Sequence, residues 1–406
     1  MKKIYIPIVF LTFVNTLNFT VLIPVLPFII QTYGGGPITY GIILSAYPFF
    51  QFFAAPLLGN LSDVYGRRPI LLISQAGTVL SWVVFIMAYF LRNYSILGIA
   101  LPLIMIFLSR GIDGVTGGNA AVSEAYLADV SKPQERTKVY GITGGVLGIA
   151  LVIGPVLGSI SNSFSIGFLG TALLTIVISG LGLLLMYLYV PESLGPEHRK
   201  RSIHFSITDE FKFFKKIRKF GKRIQSLFLL RAFFLFVFSG FTSIFIFFTI
   251  DEFGLNEQQV TYLFLLIGFF IMVNQAFLAP YFAKKLGELK SHIFGVVLVM
   301  VTQVLMVIVP NIWWFLPVIY LNNLGFSIYM PTFKTLITSA VKREEQGEIN
   351  GIDQSVWAAS SALAPLTAGI LYAHMKQYMF IVYSFILVYA LFLFRKYFRQ
   401  WLAQVS

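Results

Sequence analysis

Arg110 and Asp113 are the residues of this chain best placed to handle a proton. They stand three positions apart inside an apolar segment, residues 97–127. An unpaired charge inside lipid is costly, so both side chains are expected to face the interior of a helix bundle. At this spacing on one helix they can neutralise each other. Asp113 is therefore our candidate proton carrier, kept ionised by Arg110 until its surroundings change. The alternatives are a structural ion pair, or an Arg110 that extends outward to the membrane surface.

Other titratable groups are weaker candidates. Glu124, later in the same segment, is the second candidate proton carrier, but it could equally be a solvated acid at the mouth of a cavity. The chain has no cysteine, and none of its four histidines forms a metal-ligand pair at helical spacing. We therefore predict no metal site and no cofactor.

Amide side chains recur inside the apolar segments. They can donate and accept hydrogen bonds to a substrate, or hold neighbouring helices together, and the sequence leaves both interpretations open. The candidates for substrate contact are Asn15, Asn18, Gln51, Asn119, Asn274, Gln275, Asn322 and Asn323.

A charged, glycine-spaced stretch, Gly59–Arg68, separates two apolar runs. Gly59 and Gly66 are expected to permit close backbone approach and a tight reversal. Asp63 and Arg67 lie four positions apart, close enough to pair on a helix. The stretch is predicted to connect two membrane helices on the cytoplasmic side. The alternative role of Arg67 and Arg68 is only to keep this loop on the cytoplasmic side.

A later segment is rich in small residues. These residues permit close contact between helices, and its proline is expected to bend the helix. The positions are Gly141, Ala150, Gly154, Pro155 and Gly158.

Composition identifies the elements that must position these residues. The chain is 57% hydrophobic and only 12% charged, whereas soluble domains carry about 25% charged residues. Its 406 residues accommodate about a dozen spans of roughly 20 residues. We predict an all-α integral membrane protein with spans near 4–30, 38–60, 69–91, 97–127, 140–161, 165–190, 227–250, 259–283, 291–310, 313–338, 350–372 and 378–395.

The distribution of basic residues predicts the orientation. With both termini inside, 25 of the 30 lysines and arginines lie on the cytoplasmic side and only Arg92 and Lys376 outside. This agrees with the positive-inside rule, so N-in and C-in is the predicted topology. The net charge of +13 does not indicate nucleic-acid binding, because the basic residues occur in short segments between spans.

A weak internal repeat divides the chain into two bundles. Lys132–Gly141 recurs as Lys342–Gly351, and Gly66 matches Gly287, although Asp63 becomes Lys284 in the second copy. We predict a six-helix bundle at 1–191, a basic cytoplasmic linker at 192–225, and a second six-helix bundle at 226–406. The linker is either a solvated connection or an amphipathic helix lying on anionic lipid.

Five segments carry a resemblance to a known family. They are Gly59–Arg68, Asn15–Asn18 leading to Pro24–Pro27, Arg110–Asn119 continuing to Asp129, the span-five pattern through Gly154–Gly158, and Val190–Ser193. Together they resemble the twelve-span drug:proton antiporters of the major facilitator superfamily, and the first half resembles the tetracycline-efflux branch.

The resemblance implies roles for particular residues. It assigns Asp63, Arg67 and Asp129 to a charge cluster that closes the cytoplasmic side in the outward-open state, with Gly59, Gly66, Arg68 and Arg136 in the same conformational latch. It implies that the small-residue helix at Gly141–Gly158 favours antiport. The tetracycline-efflux branch has an aspartate where this chain has Asn15, and asparagine cannot carry the proton. Tetracycline itself is therefore not implied as the substrate.

These observations predict a secondary transporter, not an enzyme. It would export small amphiphilic compounds such as drugs in exchange for protons, by rocking of two bundles, as a monomer in a bacterial inner membrane. Its partners are a small-molecule substrate and the bilayer, with no nucleic acid. The alternatives are export of an endogenous metabolite or siderophore, or uptake of an organic anion attracted by Arg110. A membrane acyltransferase is suggested only by the His204 to Asp209 spacing in the short linker.

Overall fold

The computed structural model describes residues 5–117, 119–131, 142–143, 146, 149–150, 153–158, 160–161, 166–199, 217–341 and 345–405. The chain divides into two compact units, Met1–Ile207 with Glu257–Thr261, and Thr208–Asn256 with Tyr262–Ser406. The predictions for Arg136, Gly141 and the His204–Asp209 segment lie outside the described residues.

The first unit is helical apart from one short hairpin in its described part. Prolines stand in the first turn of three of its helices, where the missing N–H has no intrahelical partner to lose. Residues 153–158 are also helical. The elements are α1 (Tyr5–Val21), α2 (Leu26–Thr32), α3 (Pro37–Tyr65), α4 (Arg67–Phe90), β1 (Ser95–Ile96), β2 (Ile99–Ala100), α5 (Leu101–Thr116), α6 (Asn119–Val130) and α7 (Phe168–Tyr189).

Most of the helices from Lys222 onward are long and strongly apolar. One of them begins at an N-cap, where the Asn311 side chain accepts hydrogen bonds from the backbone of Trp313 and Trp314. A five-residue π-helical turn, Asn274–Leu278, interrupts another. The helices are α8 (Lys222–Phe253), α9 (Glu257–Val273), α10 (Ala279–Leu286), α11 (Glu288–Leu305), α12 (Ile312–Thr338), α13 (Gln346–Met375) and α14 (Met379–Val405).

Seven helical stretches within the described residues are long and apolar enough to cross a membrane, or eight if the bent pair α1 and α2 counts as one. Large apolar side chains such as Ile73 and Phe277 are exposed on them, as expected for surfaces that face lipid. The predicted all-helical membrane fold is confirmed. The number of twelve spans and the N-in, C-in orientation stay predictions.

Three predicted boundaries were wrong. The first predicted span is broken by a 41° bend between α1 and α2, next to Pro24, which cannot donate a helical hydrogen bond. The predicted segment 97–127 starts with a hairpin, because Leu97 and Gly98 both adopt positive φ angles, as a two-residue hairpin turn requires. Helix α3 extends through the predicted charged loop to Tyr65, so the loop is reduced to Gly66.

The turn at Gly66 recurs in the second unit with the same backbone shape. Gly66 has φ 106° and ψ 157°, and Gly287 has φ 80° and ψ 158°. Each donates its N–H to the carbonyl four residues earlier, on Ser62 and Ala283 respectively. The repeat recognised from the sequence therefore preserves the turn even where Lys284 has replaced the acid.

Candidate functional site

The buried ion pair predicted from the sequence is present in α5. The Nη1 atom of Arg110 lies 3.1 Å from Oδ2 of Asp113, and the two residues are only 3% and 5% exposed. The guanidinium carbon of Arg110 lies 4.9 Å from the ring centroid of Tyr47 in α3. Since a guanidinium is attracted to an aromatic face, Arg110 has a second source of stabilisation besides the carboxylate.

Four of the predicted substrate-contact amides converge in this unit. Gln51 donates to the Tyr47 hydroxyl at 3.0 Å and to the Gly117 carbonyl at 2.8 Å. Asn15 donates to Asn119 Oδ1 at 3.0 Å, which joins α1 to α6. Asn18 is buried and donates to Ser179 in α7 at 2.6 Å.

A small cavity of about 10 Å³ lies beside Asp113. This is at the lower limit of the space that can hold one water molecule. It is lined by Asn15, Asn18, Phe19, Tyr47, Thr78, Asp113 and Gly117. Asp113 therefore shares a polar enclosure with Asn15 and Asn18, which sequence spacing could not establish.

The predicted amides of the second unit have different surroundings. Asn322 donates to Thr302 at 2.8 Å, which links α12 to α11, and Asn323 accepts a hydrogen bond from Ser327 on the same helix. Asn274 is fully buried at the start of the π-helical turn, and neither of its side-chain polar atoms has a hydrogen-bond partner among the described residues. Gln275 is exposed. Asn322 thus joins two helices, whereas Asn274 keeps its hydrogen-bonding capacity for another partner.

Glu124, the second candidate proton carrier, is exposed in α6. It is not among the residues that line the cavity beside Asp113. The structure therefore places the buried carboxylate at Asp113 and an exposed one at Glu124.

The predicted charge cluster forms around Arg67. Its Nη1 atom lies 2.5 Å from Oδ1 of Asp63, and its Nε atom lies 3.2 Å from Oδ2 of Asp129 at the end of α6. The Ser193 hydroxyl donates to the same Asp129 oxygen at 3.0 Å. Arg67 thus joins α3, α4 and α6, and Asp129 extends the cluster to the segment after α7.

Sequence reasoning missed Glu192, which holds this cluster in place. Its carboxylate accepts hydrogen bonds from the backbone N–H groups of Arg67 and Arg68, at 2.9 and 3.2 Å. It also accepts from the N–H groups of Ser193 and Leu194, both at 3.0 Å. A carboxylate at a helix N-terminus is stabilised by the unpaired N–H groups and the helix dipole. The Pro191-Glu192-Ser193 sequence was the available signal, but nothing in it identified α4 as the partner.

The two glycines of this stretch differ in their roles. A Cβ atom at Gly66 would contact the Glu192 carboxylate, and the positive φ of Gly66 also disfavours any other residue. The prediction that Gly59 permits close backbone approach was wrong, because Gly59 lies within α3 and no described atom lies within 4 Å of where its Cβ would be. The reversal needs only Gly66, since α3 continues to Tyr65.

Small residues of the predicted span-five helix pack against the end of α1. The Thr20 hydroxyl donates to the Ala150 carbonyl at 3.1 Å. A Cβ atom at Gly154 would collide with Thr20, and one at Gly158 with the Val21 carbonyl. Pro155 is buried between these glycines. Close helix packing is therefore part of the role of this segment.

Arg68 binds the end of α7. Its Nη2 atom donates to the Tyr187 carbonyl at 2.9 Å, and the guanidinium lies 5.8 Å from the Tyr187 ring centroid.

Within the described residues, no group of His, Asp and Glu side chains could hold a metal ion.

A helical membrane fold with a buried ion pair among polar side chains is the arrangement expected of a membrane transporter. A family model described as Major Facilitator Superfamily matches residues 8–365 and 276–402. The chain therefore belongs to the Major Facilitator Superfamily.

Its relatives in sequence include efflux proteins. It is 28% identical over 339 residues to the class C tetracycline resistance protein of Escherichia coli, covering 82% of this chain and 80% of that protein. It is 26% identical over 394 residues to the class H tetracycline resistance protein of Pasteurella multocida, covering 93% of this chain and 91% of that protein. It is also 26% identical to major facilitator superfamily domain-containing protein 10 of Mus musculus, over 82% of this chain and 72% of that protein.

Solved structures share the fold. The human organic anion transporter MFSD10 (TETRAN) superposes with a TM-score of 0.70 at 22% identity, covering 97% of this chain and 99% of that chain. A structure of the nucleoside transporter NupG gives a TM-score of 0.73 at 13% identity, covering 97% of this chain and 100% of that chain. At these identities the structures support the fold alone.

Proposed function

We propose that this protein exports small amphiphilic compounds, such as drugs, in exchange for protons. The observation that carries the proposal is the Arg110–Asp113 pair, which is buried in a membrane helix beside polar side chains and a small cavity. Charges at such depth are retained where they bind ions or substrate. The proton gradient across a bacterial inner membrane supplies the energy, and the protein works as a monomer without a cofactor.

Asp113 is the residue that binds the proton. When it is neutralised, Arg110 loses its carboxylate partner but keeps the Tyr47 ring. Gln51, bonded to the Tyr47 hydroxyl, connects a change at this pair to the neighbouring amides. The proposed substrate contacts are Asn15, Asn18, Gln51 and Asn119 in the first unit, and Asn274, Gln275, Asn322 and Asn323 in the second.

The cluster around Arg67 serves as a conformational latch. Asp63, Arg67 and Asp129 hold α3, α4 and α6 together, and the latch closes the cytoplasmic side during alternating access. Glu192 belongs to this latch, because it fixes the first turn of α4 on which Arg67 stands.

Asp63→Asn tests the latch. The variant is expected to lose transport but to keep wild-type expression and thermal stability, because an ion pair that is partly exposed contributes only about 0–1 kcal/mol to folding. Export from cells and the melting midpoint of the purified protein are the two measurements. Normal export by Asp63→Asn would remove the latch from the mechanism.

Drug susceptibility and proton flux test the function as a whole. Expression in an efflux-deficient host should raise resistance to one or more compounds of a panel that includes tetracycline, ethidium, a siderophore and organic anions. With the purified protein in liposomes, adding the exported compound should move protons in the opposite direction. Export without any proton movement would rule out proton antiport, and a sodium-dependent flux would identify the other ion.

Transport of an organic anion is the second candidate. It is supported by the similarity to MFSD10, which is described as an organic anion transporter. Against it, Arg110, the residue expected to attract the anion, is already neutralised by Asp113. Inhibition of export by excess organic anion, but not by neutral drugs, would favour this candidate.

A further inference from the structure

The second unit contains a buried ion pair that the proposal above does not use. Arg231 of α8 and Asp353 of α13 form two contacts, Nε to Oδ1 at 2.9 Å and Nη2 to Oδ2 at 3.4 Å. Each residue is 6% exposed. A charge pair buried among membrane helices is costly to desolvate, and a hydrophobic pair could hold two helices together without that cost.

Arg231 is also supported by groups other than its carboxylate. Its guanidinium carbon lies 4.4 Å from the ring centroid of Phe333 and 5.7 Å from that of Tyr329, both on α12. Its Nη1 atom lies 3.2 Å from the Met330 sulfur. Aromatic faces and a thioether can stabilise a cation, so Arg231 keeps partners when Asp353 is neutral.

Two further titratable groups adjoin this pair. Tyr329 lies under the guanidinium, and His292 of α11 stacks on the Tyr329 ring with centroids 4.4 Å apart. Nδ1 of His292 is 3.2 Å from the Thr332 hydroxyl. Arg231 is the group that contacts the Asp353 carboxylate, and Tyr329 and His292 adjoin the pair on the guanidinium side.

The pair matches Arg110–Asp113 in construction. In both units an arginine is buried with one aspartate, and an aromatic ring lies under the guanidinium, at 4.9 Å for Arg110 and 4.4 Å for Arg231. This arrangement lets the carboxylate change its charge without leaving the guanidinium unsupported. A purely structural ion pair has no need of the second support.

We propose that Asp353 is a second proton-binding carboxylate, so that each transport cycle exchanges two protons for one substrate molecule. One proton binds Asp113 and the other binds Asp353. Protonation converts the Asp353 carboxylate to the acid and breaks its two contacts with Arg231, which stays on the Phe333 ring and the Met330 sulfur. Deprotonation on the other side of the membrane restores the pair. The inference rests on the proposed proton-coupled export.

The experiment measures how steeply the substrate gradient depends on the proton gradient. Purified full-length protein is placed in liposomes, with the membrane potential clamped at zero and a tenfold proton gradient imposed. The probe is tetracycline or ethidium, whichever the wild type exports in cells. At balance, exchange of two protons supports a substrate gradient of about 100-fold and exchange of one proton only about tenfold, because each bound proton contributes its full chemical potential.

The wild type is expected to build a substrate gradient of about 100-fold, and Asp353→Asn a substrate gradient of about tenfold. The matched control is Asp251→Asn, which breaks an exposed ion pair of the same unit, Asp251 with Lys376 at 2.7 Å, and should keep the wild-type gradient. Arg231→Met with Asp353→Leu removes both charges together, which buried pairs often tolerate. This double variant should fold and should also build a substrate gradient of about tenfold. If Asp353→Asn does not fold, the double variant is used to test the inference in its place.

Each result decides the inference. A tenfold gradient in the wild type, or a wild-type gradient in Asp353→Asn or the double variant, overturns it and leaves Asp353 with a structural role. Absence of any proton-driven gradient in the wild type would instead show that the proposed function has failed.

Discussion

Asp113→Asn is expected to abolish proton-driven export while the protein still inserts into the membrane. Asparagine keeps the size and hydrogen-bonding atoms of aspartate but cannot bind the transported proton. Since Asp113 is the only buried carboxylate of the first unit in the described residues, no neighbouring acid there can replace it. Asp113 also shares the small cavity with the candidate substrate amides Asn15 and Asn18, whereas Asp353 does not line it, so a proton on Asp353 alone is not expected to drive export. Substrate-induced proton flux in liposomes and drug resistance in cells should both fall to the level of membranes without the protein.

Folding must be separated from coupling in this variant. Removing one partner of a buried pair costs about 3–5 kcal/mol, and Arg110 would keep only the Tyr47 ring. Arg110→Gln with Asp113→Asn removes both charges and should recover stability but not proton flux. Glu252→Gln, at an exposed acid of α8, is the control that should export normally. If Glu124→Gln rather than Asp113→Asn stopped proton flux, the assignment of the proton carrier would be wrong.

Gly66→Ala is expected to lower the stability of the protein through both its backbone and its side chain. The backbone of Gly66, with φ 106° and ψ 157°, lies in a region essentially limited to glycine, and another residue there costs about 1–3 kcal/mol. Its Cβ would also displace the Glu192 carboxylate, which accepts four backbone hydrogen bonds in and beside the first turn of α4. Melting midpoints of the purified protein and export from cells should both decrease.

The repeat supplies a matched control for that substitution. Gly287 has the same backbone shape, but no described atom lies within 4 Å of where its Cβ would be. Gly287→Ala therefore measures backbone strain alone. The Gly66→Ala variant should melt at a lower temperature than the Gly287→Ala variant. The Glu192→Ala substitution removes the side chain with which the methyl group introduced by Gly66→Ala would collide. In the Gly66→Ala background it should therefore lower the melting midpoint by less than it does in the wild type. Equal melting midpoints for the two glycine variants would mean that the Glu192 contact contributes nothing.

Local spacing predicted the parts of the site that lie on one helix. Arg110 and Asp113 are three positions apart, and Asp63 and Arg67 four, so helix geometry alone brings each pair together. The structure has both contacts. Helix boundaries were harder to predict, because a charged helix end and a loop have the same composition. For that reason the predicted loop at Gly59–Arg68 was nearly all helix, and the role given to Gly59 was wrong.

Contacts between distant segments could not be predicted. Glu192 stands 125 residues from Arg67, and Asp353 stands 122 residues from Arg231. The sequence shows Arg231 and Asp353 as two isolated charges in separate apolar runs, and isolated charges in such runs do not reveal their partners. The proximity of Asn15 to Asn119 and of Gln51 to the Gly117 carbonyl likewise depends on how these distant segments pack.

By itself the sequence determined that this chain is a helical membrane protein, since 57% hydrophobic residues must be removed from water and only helices satisfy the backbone inside lipid. It also indicated that Arg110 and Asp113 are buried and paired, because lipid does not tolerate such charges alone. Only the tertiary structure decided which carboxylate pairs with Arg231, which residue anchors the start of α4, and which amides surround Asp113. Those contacts depend on the packing of helices far apart in the chain, and residue spacing carries no information about it.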